Sequence, residues 1–121
     1  MKKGILLVVT LVVAPRLIFE DQVFYITKVS MTIGRGKAAD IKILDPERLI
    51  SRIHAKIFKD KGQCWIEDNS SVNGTFMQKD GKYEKIQKCT LSDGDTIALS
   101  YNPSEGAHIT LQFRTEETAT K

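Results

Sequence analysis

Little in this chain can hold a metal ion or a disulfide framework. Its 121 residues include two cysteines, Cys64 and Cys89, far apart and outside any CxxC spacing, and two histidines, neither at ligand spacing from them. A zinc site is therefore not expected, nor is any other metal or cofactor. Cys64 lies inside the strand-like run Gln63-Cys64-Trp65-Ile66-Glu67, where a thiol reads as a small buried hydrophobe. Aromatics make up 7% of the residues and the net charge is +3. Single-strand nucleic-acid binding calls for aromatic platforms interleaved with a basic face, and the sequence offers no such alternation.

Long apolar runs are also missing, and a helix needs about 20 such residues to cross a bilayer. The N-terminal run 4–14 follows Met1-Lys2-Lys3 and imitates the start of a secretory signal. No small-residue cleavage site follows, because Pro15-Arg16 comes directly after Ala14. Its Val, Ile, Leu and Thr content suits a buried first strand. Reduced cysteines and the absence of a signal point to an intracellular protein, cytoplasmic or nuclear, with no membrane association. No window carries an amphipathic helix of roughly ten residues or more, and there is no internal repeat.

What remains is enough for one globular domain. Hydrophobic content of 41% and charged content of 27% are ordinary for such a chain. At this length it buries roughly two-thirds of its unfolded surface without staples. Short runs rich in β-branched and aromatic residues recur at 5–13, 17–19, 22–27, 31–33, 41–43, 54–59, 63–68, 75–78, 84–86, 96–101 and 107–114. Turn residues separate them, which predicts an all-β sandwich or barrel. Asp60-Lys61-Gly62 and Asp80-Gly81-Lys82 predict tight hairpins, and Asn73-Gly74 predicts a reversal between the strands around Trp65 and Phe76. The domain is expected over 1–114, with 115–121 a flexible polar tail.

Three polar fragments at turns carry the chemistry. Arg35 follows Met31-Thr32-Ile33 and Gly34, just beyond a strand end, where its guanidinium can grip a phosphate or pair with Asp40 or Asp45. In Ser51-Arg52-Ile53-His54 the serine hydroxyl can donate to phosphate and Arg52 can add a cation. His54 is expected to be a buried ring holding neighbouring backbone. As the base of a Ser51/His54 nucleophilic pair it would need an orienting acid and an oxyanion hole, and the sequence has no nucleophile elbow. In Ser71-Val72-Asn73-Gly74-Thr75 the Asn73 amide can donate and accept at once, as the backbone of an extended peptide requires.

Taken together, Thr32-Ile33-Gly34-Arg35, Asp40-Ile41, Ser51-Arg52-Ile53-His54-Ala55, Trp65-Ile66-Glu67-Asp68, Ser71-Val72-Asn73-Gly74-Thr75-Phe76 and Leu91-Ser92-Asp93-Gly94-Asp95-Thr96-Ile97 resemble the forkhead-associated (FHA) domain, with some likeness to the eukaryotic checkpoint-protein type. The resemblance implies an eleven-stranded β-sandwich of two mostly antiparallel sheets with ligand loops at one end. It implies a non-catalytic module that recognises phosphothreonine in partner proteins, without a cofactor, and that can form part of a larger protein. By position, Arg35, Ser51 and Arg52 would contact the phosphate, and Asn73 the peptide main chain. Gly34, His54, Val72, Gly74 and Thr75 would shape the loops. Val72 departs from members that place a hydroxyl there, leaving only its backbone amide to help, and Gln78 replaces a frequent asparagine. Three alternatives stay open: a small β-barrel binding single-stranded nucleic acid, an interaction platform indifferent to phosphate, and an enzyme built on Ser51 and His54.

Overall fold

The computed structural model describes residues 8–120, and the start of the first expected strand at Ile5 lies outside them. Eleven strands follow one another: β1 (Val8–Phe19), β2 (Gln22–Tyr25), β3 (Ser30–Gly34), β4 (Ile41–Lys42), β5 (Ala55–Asp60), β6 (Gln63–Asp68), β7 (Thr75–Lys79), β8 (Lys82–Ile86), β9 (Lys88–Leu91), β10 (Thr96–Asn102) and β11 (Gly106–Thr120). They form a six-stranded sheet in the order β2-β1-β11-β10-β7-β8 and a five-stranded sheet in the order β4-β3-β5-β6-β9. All pairs are antiparallel except β3 with β4. The expected FHA-type sandwich is the fold observed.

Period-two burial places the core between the sheets. Met31 and Ile33, Ala55 and Ile57, and Cys64 and Ile66 point inward from one sheet; Ile97 and Leu99, and Ile109, Leu111 and Phe113, from the other. Cys64 is thus the buried hydrophobe the sequence indicates, and burial pushes its thiol up. The core also reaches into one loop, where Ile43 and Ile50 are fully buried. That loop, 43–54, is therefore anchored by apolar contact as well as by its ends.

Three differences from the expected runs go beyond a residue or two at a strand end. The first two runs are one strand, because the chain does not stop at Pro15. The β1–β11 register instead shifts between Val12 and Arg16, and an irregularity of this kind tolerates a residue without an N–H. Strand β9 is absent from the expected runs. It has four residues at a sheet edge, too few to show a period, and acquires its conformation from pairing with β6. The expected tail continues β11 to Thr120, with 116–120 paired to Val8–Val12, because an antiparallel partner offers its backbone groups a ladder.

The turns divide in the same way. Lys61-Gly62 and Asp80-Gly81 close hairpins with φ of 53° and 78°, and 51° and 78°, as two-residue loops of positive φ should. Asn73-Gly74 closes no hairpin. β6 and β7 lie in different sheets, only Gly74 of the pair has positive φ (87°), and residues 69–74 cross from one sheet to the other. Loops 35–40, 43–54 and 69–74 and the β10–β11 turn gather at one end of the sandwich, because β3, β6 and β10 end there and β5, β7 and β11 begin there.

Candidate functional site

Gly34 ends β3 at a point where the backbone of the next loop passes too close for a side chain. A Cβ at Gly34 would sit 2.0 Å from the Arg52 carbonyl oxygen. Past it, Arg35 N–H donates to Ser51 O (3.2 Å) and Gly36 N–H to Arg52 O (3.0 Å), zipping two loops together. Gly36 is a second close approach that the sequence reading passed over, with a Cβ 2.9 Å from that of Arg52. The Arg35 guanidinium is then fixed by Nε, which donates to Ile50 O at 2.7 Å.

The two aspartates that could have neutralised Arg35 are occupied. Asp40 accepts from Thr32 N–H (2.9 Å) and from Lys28 Nζ (3.1 Å), contacts that hold its carboxyl below the usual range. Asp45 is buried and accepts from Ile50 N–H (2.9 Å) and lies 2.8 Å from His108 Nε2. Burial pushes the Asp45 carboxyl up, and the Ile50 amide and His108 outweigh it and bring it below the usual value. Among the described residues no ion pair involves Arg35, so its outer N–H groups are left for a ligand.

His54 is fully buried and sits where two loops meet. Ser51 N–H donates to its Nδ1 (3.0 Å); a backbone amide can only donate, so Nδ1 is the unprotonated nitrogen. Nε2 then carries the hydrogen and donates to Gly74 O (2.8 Å). Burial lowers the His54 pKa and keeps the ring neutral. With Nδ1 taken by the Ser51 amide and Nε2 by Gly74, neither nitrogen addresses the Ser51 hydroxyl. The Ser51/His54 pair is bracing, and the nucleophile-and-base arrangement considered above is not built.

The 69–74 loop is organised by Asp68, which the sequence reading placed only in a motif. Its carboxylate accepts from Ser71 N–H (3.0 Å), from the Ser71 hydroxyl, and from Thr75 Oγ1 (2.7 Å). Burial pushes the Asp68 carboxyl up, but these hydrogen bonds prevail and hold it below the usual range. Ser71 Oγ in turn accepts from Gly74 N–H at 2.9 Å. Thr75 is fully buried and acts entirely inward, whereas the Val72 side chain is 84% exposed.

One tripeptide ties these parts together. Asn73 Nδ2 donates to Leu49 O (2.7 Å), Arg35 Nε donates to Ile50 O, and Val72 N–H donates to Ser51 Oγ (3.1 Å). Leu49-Ile50-Ser51, within loop 43–54, is thus a template for the two loops 35–40 and 69–74. Ser51 Oγ accepts from Val72, which leaves its O–H free to donate outward. Val72 N–H is the group that the sequence reading left for a ligand, and it is spent on Ser51 instead. Asn73 keeps its side-chain oxygen for an incoming N–H. Arg52 lies exposed beside Arg35; the structure fixes its carbonyl through Gly36, and its side chain makes no hydrogen bond among the described residues.

An anionic group carrying several acceptor oxygens, next to an extended backbone, matches this set of open donors and acceptors. Solved structures share the arrangement of strands. One, from a study of phosphothreonine-dependent FHA domain interactions, superposes with a TM-score of 0.68 at 27% identity, over 84% of this chain and 96% of that one. The FhaA FHA domain, solved in complex with the intracellular domain of Rv3910, superposes with a TM-score of 0.67 at 27% identity, over 84% of this chain and all (100%) of that one. In sequence, 64 residues are 38% identical to the ABC transporter ATP-binding/permease protein Rv1747 of Mycobacterium tuberculosis, covering 53% of this chain and 7% of that protein. The FHA domain family model matches residues 31–100, more than half of the chain. The chain belongs to the FHA domain family.

Proposed function

We propose that this chain is a non-catalytic module that binds phosphothreonine in partner proteins, with Arg35, Ser51 and Arg52 on the phosphate and Asn73 on the peptide backbone. The observation that carries the reading is the shared template of residues 49–51. It holds Arg35, Val72 and Asn73 in place while leaving the outer guanidinium N–H groups, the Ser51 O–H and the Asn73 oxygen open. A phosphothreonine near neutral pH carries about −1.5 to −2 charges and three acceptor oxygens, so a preformed set of cationic and hydroxyl donors suits it. Similarity to a structure from a study of phosphothreonine-dependent FHA domain interactions supports the same ligand.

The module acts within a larger signalling protein or assembly, as similarity to a short stretch of a transporter suggests, and in an intracellular compartment where kinases supply its ligand. Among the described residues no helix is long and apolar enough to cross a membrane. Calorimetric titration with matched phosphothreonine, phosphoserine and unphosphorylated peptides from a degenerate library tests the proposal. Binding confined to phosphorylated peptides, with threonine preferred, is expected; indifference to phosphorylation rejects it.

Nucleic-acid binding gains one observation and loses it again. On the outer face of the five-stranded sheet, Phe58 and Trp65 stack with centroids 6.3 Å apart, the aromatic platform invisible in the linear sequence. Lys56 and Lys88 already lie over those rings at 5.3–5.6 Å, and Lys56 pairs with Glu67 at 3.5 Å. The ring faces are thereby covered by the protein's own side chains.

A further inference from the structure

Beside Asn73, and separate from the phosphate-facing groups, lies a polar pocket of about 340 Å³, at the small end of ligand-sized cavities. Asn73 and Leu49, the two residues joined by the Nδ2–carbonyl hydrogen bond, form the wall it shares with the phosphopeptide loops. Glu47 and Glu105 supply carboxylates to its lining, and no lysine or arginine lines it despite the positive net charge of the chain. His108, the titratable base in the wall, is turned onto the buried Asp45 at 2.8 Å, with its other nitrogen 3.9 Å from Glu47.

Ser100 gives the pocket a second, independent mark. It is 8% exposed, lines the pocket, and its hydroxyl has no hydrogen-bond partner among the described residues. Its backbone has φ of 72° in the middle of β10, a conformation a serine adopts at a cost. The residue is held there by its N–H, which donates to Gly74 O at 2.9 Å, the same carbonyl that accepts from His54. The hydroxyl can accept from a ligand that enters the pocket, and a lining with two glutamates and no lysine or arginine suits a group that carries positive charge.

We infer that this pocket receives a lysine or arginine side chain of the bound phosphopeptide, so that the ligand is a threonine-phosphorylated segment with a basic residue close by. The inference rests on phosphopeptide binding at the neighbouring loops. It narrows that binding to bipolar segments: the phosphate meets Arg35 and the peptide's own cation meets Glu47, Glu105 and the Ser100 hydroxyl. Partly exposed ion pairs of this kind discriminate modestly, so a gain of about two- to fivefold over alanine is expected.

The test is a set of phosphothreonine peptides in which each flanking position is in turn Lys, Arg, Ala or Glu, titrated against the intact chain and against a Glu47→Lys/Glu105→Lys variant. The expected result is one flanking position where Lys and Arg bind about two- to fivefold more tightly than Ala, and where the variant prefers Glu instead. Phosphate-dependent binding with a flat or acidic-preferring scan overturns the inference and leaves the phosphothreonine reading standing. Failure of every phosphorylated peptide to bind overturns both.

Discussion

Replacing Arg35 by alanine separates the site from the fold that carries it. Within the protein the side chain makes one hydrogen bond, from Nε to Ile50 O, at the edge of a part-buried loop. Its loss lets water reach that carbonyl and costs about 1 kcal/mol of stability. Toward a phosphate the guanidinium can direct two of its four remaining N–H groups, and hydrogen bonds to charged groups contribute about 1.5–3 kcal/mol each. Binding should therefore weaken by about 3–6 kcal/mol, a factor of roughly a hundred to ten thousand in Kd. Arg35→Lys keeps the charge but cannot hold Ile50 O and fork onto phosphate together, so it should fall between parent and alanine. Calorimetric titration with one phosphothreonine peptide and urea unfolding of the same three proteins read the two effects apart. An Arg35→Ala protein that binds within about threefold of the parent refutes the assignment. So does one whose lost affinity is matched by a lost fold.

Other changes test the bracing. Gly34→Ala forces a Cβ against the Arg52 carbonyl, and because both partners are backbone it should cost about 3 kcal/mol or more; an unfolding midpoint equal to the parent's would contradict the close approach. Asp68→Ala strips Ser71 and Thr75 of their acceptor, for about 1–3 kcal/mol of stability by denaturant unfolding and a measurable loss of peptide affinity through the Asn73 loop. Unchanged affinity would show that Asp68 does not position that loop. Acid should destabilise the fold in two windows. His54 has a depressed folded pKa, so the unfolded chain binds its proton first and stability falls as pH drops below about 6.5. Asp45 and Asp68, also depressed, contribute stability that is present above about 4 and lost as pH falls through their lower folded values. Urea midpoints measured from pH 8 to 3 check both, and His54→Gln should remove the upper window. Peptide affinity should weaken separately below about pH 6, where the phosphate loses charge, and constant affinity to pH 5 in folded protein would argue against a dianion.

What the sequence reveals about this fold is what local chemistry decides. Lys61-Gly62 and Asp80-Gly81 are readable as hairpins because positive φ at adjacent residues is a property of the turn alone. Asn73-Gly74 has the same letters and a different outcome, because whether β6 and β7 share a sheet depends on partners elsewhere. Gly34, Arg35, Ser51 and Asn73 are legible through a pattern of spacing that resembles a family. The links that join them in the structure are not. Asp45 and His108 meet at 2.8 Å across 63 residues, and nothing near either one announces the other. Asp68 reads as one more acid after a strand until Ser71 and Thr75 fold back onto it. Phe58 and Trp65 become a stacked pair only through β5–β6 pairing. Non-local pairing carries this part of the information, and a periodicity scan has no access to it.

The template at residues 49–51 has a consequence for how variants of this protein combine. Ile50 keeps its side chain wholly within the core while its carbonyl holds Arg35, and its neighbours hold Asn73 and Val72. A repacking of the core around Ile50 would shift its own loop and the anchors of two others at once, although none of the altered atoms touches ligand. Effects of substitutions at Arg35, Ser51 and Asn73 should therefore be non-additive, and double-mutant cycles among them should show coupling of about 0.5–3 kcal/mol. Tolerance of this site to sequence change would then be governed by epistasis through a single buried isoleucine.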